Sequence, residues 1–487
     1  MKENKRFSII IPVYNAEKYL DTCISGLLNQ TLNFEEYVEL ILVNDGSTDN
    51  SKEICKKYLE KYPDNVVYLE HENSGPSATR NRGLEAATGD IVGFLDSDDK
   101  YSIKTLAMIN YYFNIVHDYV DVAVIPVQQF GAKTDGYYLN GKFWRGVRTI
   151  DLQDANWFDV CMRVGQAFVR REAAQRHKFD NGITFFEDSK YINEVISEKM
   201  RIGVVNKCYY YYRRYPSEAD ANTSLTVGAE TDKRLYLDTP VQVVLHFLEK
   251  YENKKDIPMY FQYLALCEMR WRIFYTTNRT ADFLTEKEYK EYESINDRVF
   301  SCISDEAIMT TNIYSGWQKL YLLNMKYKKN IFNECEINED LCLMWNGNVI
   351  SDLKASQVGI LDMDFENREF LLSGLVSSIV NDKVKLIVRY NGETVNVNIR
   401  EEGLNATQFP LDEESYVFRA FDVKIPLVND ETNITFAIEV DGQECEVEKV
   451  HVSQRGVCEH VIPEEQHRCG YMIQRLEDGI LVAREKI

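Results

Sequence analysis

Four polar residues, Asp96-Ser97-Asp98-Asp99, directly follow an apolar run at Ile91 to Leu95. Carboxylates are hard oxygen donors suited to Mg²⁺ or Mn²⁺. Such ions bind diphosphates well while keeping several waters. One aspartate on a metal, beside another that holds a ribose, is a compact seat for a nucleoside diphosphate. An acidic turn alone is a weak sign, because acidic turns are common. A second acidic pair, Glu187-Asp188, precedes the amphipathic stretch Ser189 to Glu198. On its own that pair reads as the start of a helix that it caps.

The elements that must position these residues alternate in type. Phe7 to Val13 has a buried-strand pattern, and Ala16 to Asn29 reads as a helix with Leu20, Ile24, Leu27 and Leu28 on one face. Leu40 to Val43 is a second strand. The turn Asp45-Gly46-Ser47-Thr48-Asp49 then places Ser47 or Thr48 to cap a helix running to about Tyr62. Val66 to Leu69 is a third strand. Gly75-Pro76-Ser77 starts a helix that Gly89 ends, and Ile91 to Leu95 is a fourth strand. Repeated strand–helix units predict an α/β fold with a mostly parallel sheet flanked by helices. Such a sheet binds ligands at the carboxyl ends of its strands. Tyr14-Asn15, Asn44-Asp45 and Asp96 to Asp99 all fall there, which groups them as one site.

The first ~225 residues resemble a family 2 glycosyltransferase of GT-A fold. The resemblance rests on five motifs in order: Ser8 to Asn15, Val43 to Asp49, Asn73 to Asn81, Gly89 to Asp99, and Phe185-Phe186-Glu187-Asp188. It implies an inverting enzyme of the bacterial cell-surface polysaccharide or teichoic-acid type. Pro12, Tyr14 and Asp45 would hold the base, with Tyr14 giving an aromatic face and Asp45 accepting from a uracil N–H. Asn73 and Arg80 would line the nucleotide, and the planar fork of Arg80 suits phosphate or Asp96. Asp96 and Ser97 would contact ribose and phosphate. Asp98 would be the principal ligand of Mg²⁺ or Mn²⁺. Asp188 would be the general base, with Glu187 as a neighbour that binds acceptor. Tyr209 to Arg214 resembles a Tyr/Arg segment ahead of a loop carrying Ser224-Leu225-Thr226, so that Arg213 or Arg214 would reach the diphosphate or the acceptor. The alternative for those tyrosines is an edge strand. Trp157 and Phe158 could form a stacking face for an acceptor sugar, or core.

Composition narrows the classes. The formal net charge of −21 argues against nucleic-acid binding. Residues 1–230 hold 27 basic and 33 acidic residues, against 29 and 44 in the remainder. The milder balance suits a part that meets an anionic ligand. Arg163, Arg170, Arg171, Arg176 and Lys178 form a local basic cluster, or else a solvated helix face. No apolar run approaches the ~20 residues of a spanning helix. Met1 to Arg6 starts basic without a signal-peptide hydrophobic stretch. A cytoplasmic enzyme at the inner face of the membrane is the expectation, with peripheral membrane contact compatible. The 11 cysteines are odd in number and lack a CxxC pair, so reduced thiols are expected. Cys458, His460, His467 and Cys469 cluster without a recognised zinc spacing.

The expected domains are 1–227 (GT-A catalytic), 228–335 (helical), 336–455 (β-sandwich) and 456–487 (a tail with a hairpin). Val241 to Lys250 and Phe261 to Tyr275 have helical spacing, with aromatics read as core. Val384 to Tyr390, Asn391-Gly392 and Thr394 to Ile399 predict a type I′ hairpin. Asn433 to Val440, Asp441-Gly442 and Glu444 to Val450 repeat it, and Tyr471 to Glu485 could fold around Asp478-Gly479. The expected function is transfer of a sugar from a nucleotide-diphosphate donor, UDP first, to a hydroxyl of a glycan, teichoic-acid-like polymer or glycolipid. Alternatives are another nucleotide-activated donor, or a catalytically silent glycan-binding protein. The β-region would bind glycan or drive homo-oligomerisation. A dinucleotide oxidoreductase fits poorly, since Pro12-Val13-Tyr14-Asn15 stands where its Gly-rich turn belongs.

Overall fold

Strand β1 (Phe7–Val13) is buried along its length except at Pro12, and it is the axis of the first sheet. Its near-continuous apolar run is what a parallel strand covered on both faces requires. It pairs in parallel with β2 (Val38–Asp45), from Phe7 opposite Val38 to Val13 opposite Asn44. On its other side it pairs in parallel with β4 (Ile91–Phe94). Strand β3 (Val66–His71) extends β2, also in parallel. Four further strands complete the sheet: β6 (Val122–Val124), β8 (Arg148–Asp151), β9 (Ala167–Arg170) and β10 (Arg201–Val204). The order is β3-β2-β1-β4-β9-β6-β10-β8. β9 runs antiparallel to β4 and β6, and β8 antiparallel to β10. A second sheet has the order β5-β11-β7, formed by Lys100–Tyr101, Tyr210–Arg214 and Val127–Gly131.

The structure, a computed structural model, describes residues 5–132, 134, 136–215, 229–251, 253–275, 283–366, 369–376, 384–402, 418–427, 430–440, 442–447, 449–452, 465–468, 471–476 and 479–484. The chain divides into two compact units, 1–304 and 305–487. The helical stretch expected over 228–335 is thus shared between the two.

The first unit carries helices α1 (Leu20–Leu28), α2 (Phe34–Tyr37), α3 (Ser51–Lys61), α4 (Gly75–Ala86), α5 (Thr105–Val116), α6 (Arg171–Ala174) and α7 (Glu187–Lys199). Leu20, Ile24 and Leu27 of α1 are buried as their spacing predicts. Ser47 and Thr48 do not cap α3. Ser47 Oγ accepts from the Asn15 amide at 3.1 Å, and the Thr48 amide donates to Asn15 Oδ1 at 2.8 Å. They are spent on holding the loop after β1. Beyond α7, helix Lys233–Thr239 continues through a π-helical turn, Pro240–Leu245. Helix Met259–Arg270 does the same through Trp271–Tyr275, and Glu286–Cys302 follows a Thr285/Glu288 capping box. The aromatics here are core: Tyr236, Tyr260 and Tyr292 have no exposed surface.

In the second unit, helices Asp305–Thr310 and Gly316–Tyr327 precede a three-stranded sheet over 336–352. A five-stranded and a seven-stranded sheet follow, and their inward residues share one core. Val358, Phe370, Phe421 and Val423 come from one sheet, and Val384, Val388, Phe436 and Ile480 from the other. That is a β-sandwich. Asn391 and Gly392 both have positive φ, at 47° and 86°, as a type I′ turn demands. The arm after the turn is split, however. Glu393–Val395 stays paired with Val384–Tyr390, while Val397–Glu402 crosses to the other sheet and pairs with Phe418–Pro426. The second hairpin divides in the same way, into Gln443–Glu446 and Lys449–Val452. In the first, Val395, Val397 and Ile399 keep one alternation through the crossing, so a period-two pattern cannot reveal it. Tyr471–Arg475 and Gly479–Arg484 form the final antiparallel pair and join the seven-stranded sheet. Asp441, Asp478, Cys458, His460 and Cys469, and the side chain of His467, lie outside the described residues.

Candidate active site

The carboxyl ends of β1, β2 and β4 are neighbours by register, so Tyr14, Asp45 and Asp96 emerge side by side. Tyr14 is exposed, on the loop that Asn15 turns at φ 46°. Pro12 is partly buried and Asn73 exposed. Asp45 is buried, and its two oxygens accept from the Ser74 amide at 2.7 Å and the Gly75 amide at 3.0 Å. It therefore caps α4, satisfying amides that a helix start leaves unpaired. Each oxygen keeps a further lone pair, so capping and base recognition are compatible. Gly46 makes this approach possible: its φ is +68°, and a Cβ there would stand 2.8 Å from the Asn73 nitrogen.

The triplet is tied to the second sheet. Asp99 is buried, accepting from the Tyr210 hydroxyl at 2.5 Å and from the Arg213 amide at 2.7 Å. Asp96 Oδ2 also receives the Tyr210 hydroxyl, at 3.3 Å. Asp98 Oδ2 accepts from Tyr215, and its carbonyl from Arg213 Nε at 2.8 Å. Arg213 itself lies between the rings of Tyr19 and Phe130, 4.2 and 4.5 Å from their centroids. Its guanidinium holds the turn in place, whereas the expectation had it reach for ligand. Strand β11 is the middle strand of its sheet, so the edge-strand reading of these tyrosines is replaced. Tyr210 is buried because Gly165 leaves room for it. Ser97 is partly exposed.

Burial raises the pKa of Asp98, and the neighbouring Asp96 charge raises it further. A carboxylate short of positive charge beside a second one fits a divalent cation. Among the described residues, no three His, Cys, Asp or Glu side chains converge as an all-protein metal cage. A Mg²⁺ or Mn²⁺ ion held by one or two carboxylates plus substrate phosphates needs none.

Arg80, on α4, is the link between the two acidic groups. Its Nη2 donates to Asp96 Oδ1 at 3.0 Å and its Nη1 to Glu187 Oε1 at 2.7 Å. Its guanidinium also lies over the Phe179 ring, 5.6 Å away. Glu187 and Asp188 form the first turn of α7, and the residue before them, Phe186, has left-handed φ 65° and ψ 25°. Only Asp188 serves the open amides of the helix start, and it does so from inside the first turn. Glu187 turns to Arg80, and Asp188 Oδ1 accepts from the adjacent Ser189 amide at 2.8 Å. Burial pushes Glu187 up to about 6, against the pull of Arg80. Burial also raises Asp188, opposed by Arg80 and Arg163 and reinforced by Asp96. A buried carboxylate with raised basicity is suited to accept a proton.

The expected basic cluster disperses. Arg170 donates to the Val120 carbonyl, Arg171 to that of Gly89, Arg176 to Glu198 and Lys178 to Glu85. Arg163 alone turns to the site. It lies 4.4 Å from the Tyr212 ring and acts electrostatically on Asp188. Trp157 and Phe158 are partly buried and pack edge to face, with Phe158 against Gly141. Ser224-Leu225-Thr226 lies outside the described residues. Tyr210, Tyr215 and Arg163 are site residues that the sequence reading did not single out for it. The alternating tyrosines were the available signal for the first.

A mostly parallel sheet with an acidic triplet at the end of β4 and a second acidic pair opening α7 is a GT-A fold. The model of glycosyl transferase family 2 matches residues 8–177, and the chain carries a domain of that family. It is 30% identical over 395 residues to the minor teichoic acid biosynthesis protein GgaB of Bacillus subtilis (strain 168), covering 80% of this chain and 43% of that protein. It is 36% identical over 268 residues to GgaA of the same organism, covering 54% of this chain and 59% of that one. The chain thus spans about half the length of these curated relatives. Among solved structures, S. aureus TarS has TM-score 0.53 and 16% identity, over 99% of this chain and 85% of that one. A TarS 1–349 structure in complex with UDP-GlcNAc has TM-score 0.53 and 19% identity, over 71% of this chain and 98% of that one. No helix among the described residues is long and apolar enough to cross a membrane.

Proposed function

We propose that this chain is an inverting glycosyltransferase that moves a sugar from a UDP-sugar to a hydroxyl of a teichoic-acid-like polymer at the inner face of the membrane. The observation that carries this reading is Arg80, whose one guanidinium joins Asp96 to Glu187. It makes the donor seat and the Glu187-Asp188 turn a single site. The relatives' teichoic-acid names and the UDP-GlcNAc complex of TarS support the choice of substrates.

In this reading Tyr14 offers its ring to the base and Asp45 an acceptor to the uracil N–H. Asp96, with Ser97, holds the ribose and phosphate. Asp188 takes the proton from the acceptor hydroxyl as that oxygen attacks the anomeric carbon. The bond from that carbon to the diphosphate oxygen breaks, and UDP leaves. Glu187 keeps Arg80 in place, and Arg163 offers positive charge on the acceptor side of Asp188. A divalent cation on Asp98, when bound, supplies Lewis-acid stabilisation of the departing diphosphate. The test is UDP release from UDP-GlcNAc, UDP-glucose, UDP-galactose and UDP-GalNAc with Mn²⁺ or Mg²⁺, with and without poly(ribitol phosphate) or poly(glycerol phosphate). Stimulation by polymer supports the reading; no turnover of any UDP-sugar overturns it.

A further inference from the structure

Behind the Glu187-Asp188 turn lies a buried ion pair that the donor and acceptor roles do not use. Glu268, on helix Met259–Arg270, and Arg272, in the π-helical turn that follows, both have no exposed surface. Arg272 Nη1 is 3.9 Å from Glu268 Oε2. Arg272 Nε donates to the Leu235 carbonyl at 2.8 Å, and Nη1 to the Glu268 carbonyl at 2.5 Å. A buried pair of this kind is a poor stabiliser, because two charges leave water to form it. Its placement suggests another use.

The Arg272 guanidinium lies 4.8 Å from the centroid of the Phe186 ring. Phe186 is the left-handed residue that sets the entry of α7. A bulky side chain holds such a conformation only when its surroundings over-determine it. On the other flank of the acid pair, Ser189 has no exposed surface. The same helix reaches this turn a second time. Tyr260 donates to Asn193 Oδ1 at 2.7 Å, and Asn193 Nδ2 donates to the carbonyls of Ser189, at 2.8 Å, and Cys161, at 2.7 Å. Phe186, Ser189 and the segment leading to Arg163 are thus all braced from one side.

We infer that Arg272, with Glu268 as its buried counter-charge, is a positioning residue for Asp188: Arg272 clamps the Phe186 ring at the entry of α7 and so sets the direction of the Asp188 carboxylate. This rests on the reading of Asp188 as the base. It gives the helical segment a part in the reaction beyond packing.

The test uses the full chain with UDP-GlcNAc or UDP-glucose and poly(ribitol phosphate). Arg272→Met should keep UDP affinity within twofold by titration and lose roughly 10- to 100-fold in kcat, as misplacement by about an ångström does. Adding Phe186→Gly should recover several-fold of that loss, because glycine takes the left-handed conformation without a clamp. Arg272→Lys, which keeps the charge but not the planar stack, should fall between and serves if the Met variant does not fold. Wild-type kcat in a folded Arg272→Met, or a loss that Phe186→Gly leaves unmoved, overturns the inference. Asp188→Asn run alongside separates the two failures: turnover by that variant removes the base reading itself, whatever Arg272 does.

Discussion

Arg80 Nη1 lies 2.7 Å from Glu187 Oε1, joining α4 to α7 across 107 residues of chain. Both side chains are about nine-tenths buried. Removing one partner of such a pair leaves the other charge uncompensated in a poor solvent, at a cost of roughly 3–5 kcal/mol. Arg80→Ala should therefore lower unfolding stability by about that amount in urea titration, and Arg80→Lys by less. Both should abolish transfer, since a lysine cannot meet Asp96 and Glu187 at once. The paired variant Arg80→Met/Glu187→Met should regain most of the stability and none of the activity. If Arg80→Ala melts like wild type, the link is not the structural joint described.

Asp188→Asn isolates proton transfer. Asparagine matches the shape and keeps an acceptor for the Ser189 amide, but it cannot take up a proton. UDP affinity should be unchanged, and polymer-dependent turnover should fall by ~10²- to 10⁴-fold, the usual worth of a positioned general base. Unchanged turnover with a well-folded variant would move the base elsewhere.

Asp98→Ala addresses the metal. With Mn²⁺ present, UDP should bind at least about tenfold more weakly than to wild type, or ~1.4 kcal/mol. With EDTA the two proteins should bind UDP alike. A loss that persists in EDTA would mean that the variant has disturbed the Tyr215 and Arg213 contacts of the turn and that Asp98 is not the ligand.

The part of the site that was legible in the sequence is the part that is local. Tyr14, Asp45 and Asp96 each follow a strand directly, and parallel register alone carries them to one edge. What could not be read comes from convergence. Tyr210 meets Asp99 across 111 residues, and nothing in an alternating tyrosine run says that its strand is central in the sheet. Arg163 sits in a run of cations that looked like one patch, yet four of those five turn to other partners. In the β-sandwich, the turn at Asn391-Gly392 was legible because positive φ at two residues has few sequence solutions. The sheet crossing just after it was not, because the alternation of side chains is the same on either sheet. Glu268 and Arg272 stand four residues apart, a spacing shared with any exposed ion pair on a helix. Only their complete burial shows that they face inward.

That burial has a consequence for stability against pH. Loss of solvent pushes Glu268 up to about 7 in the folded protein, from an ordinary value of 4.5, with Arg272 and Ser189 opposing the rise. A carboxyl whose folded pKa is raised binds its proton more tightly when folded, so its contribution is full below about 4.5 and is lost as pH rises through about 7. Glutamine cannot ionise and does not share this loss. Whatever Glu268→Gln does to stability at pH 5, the difference between the two proteins should move in favour of the variant as pH rises to 8. The change should be about 3 kcal/mol, from 1.36 kcal/mol for each pKa unit. Urea unfolding of both at pH 5, 6, 7 and 8 measures it. A difference that stays flat over this range would mean that Glu268 ionises in the fold as it does in water, and that Arg272 fully offsets its burial.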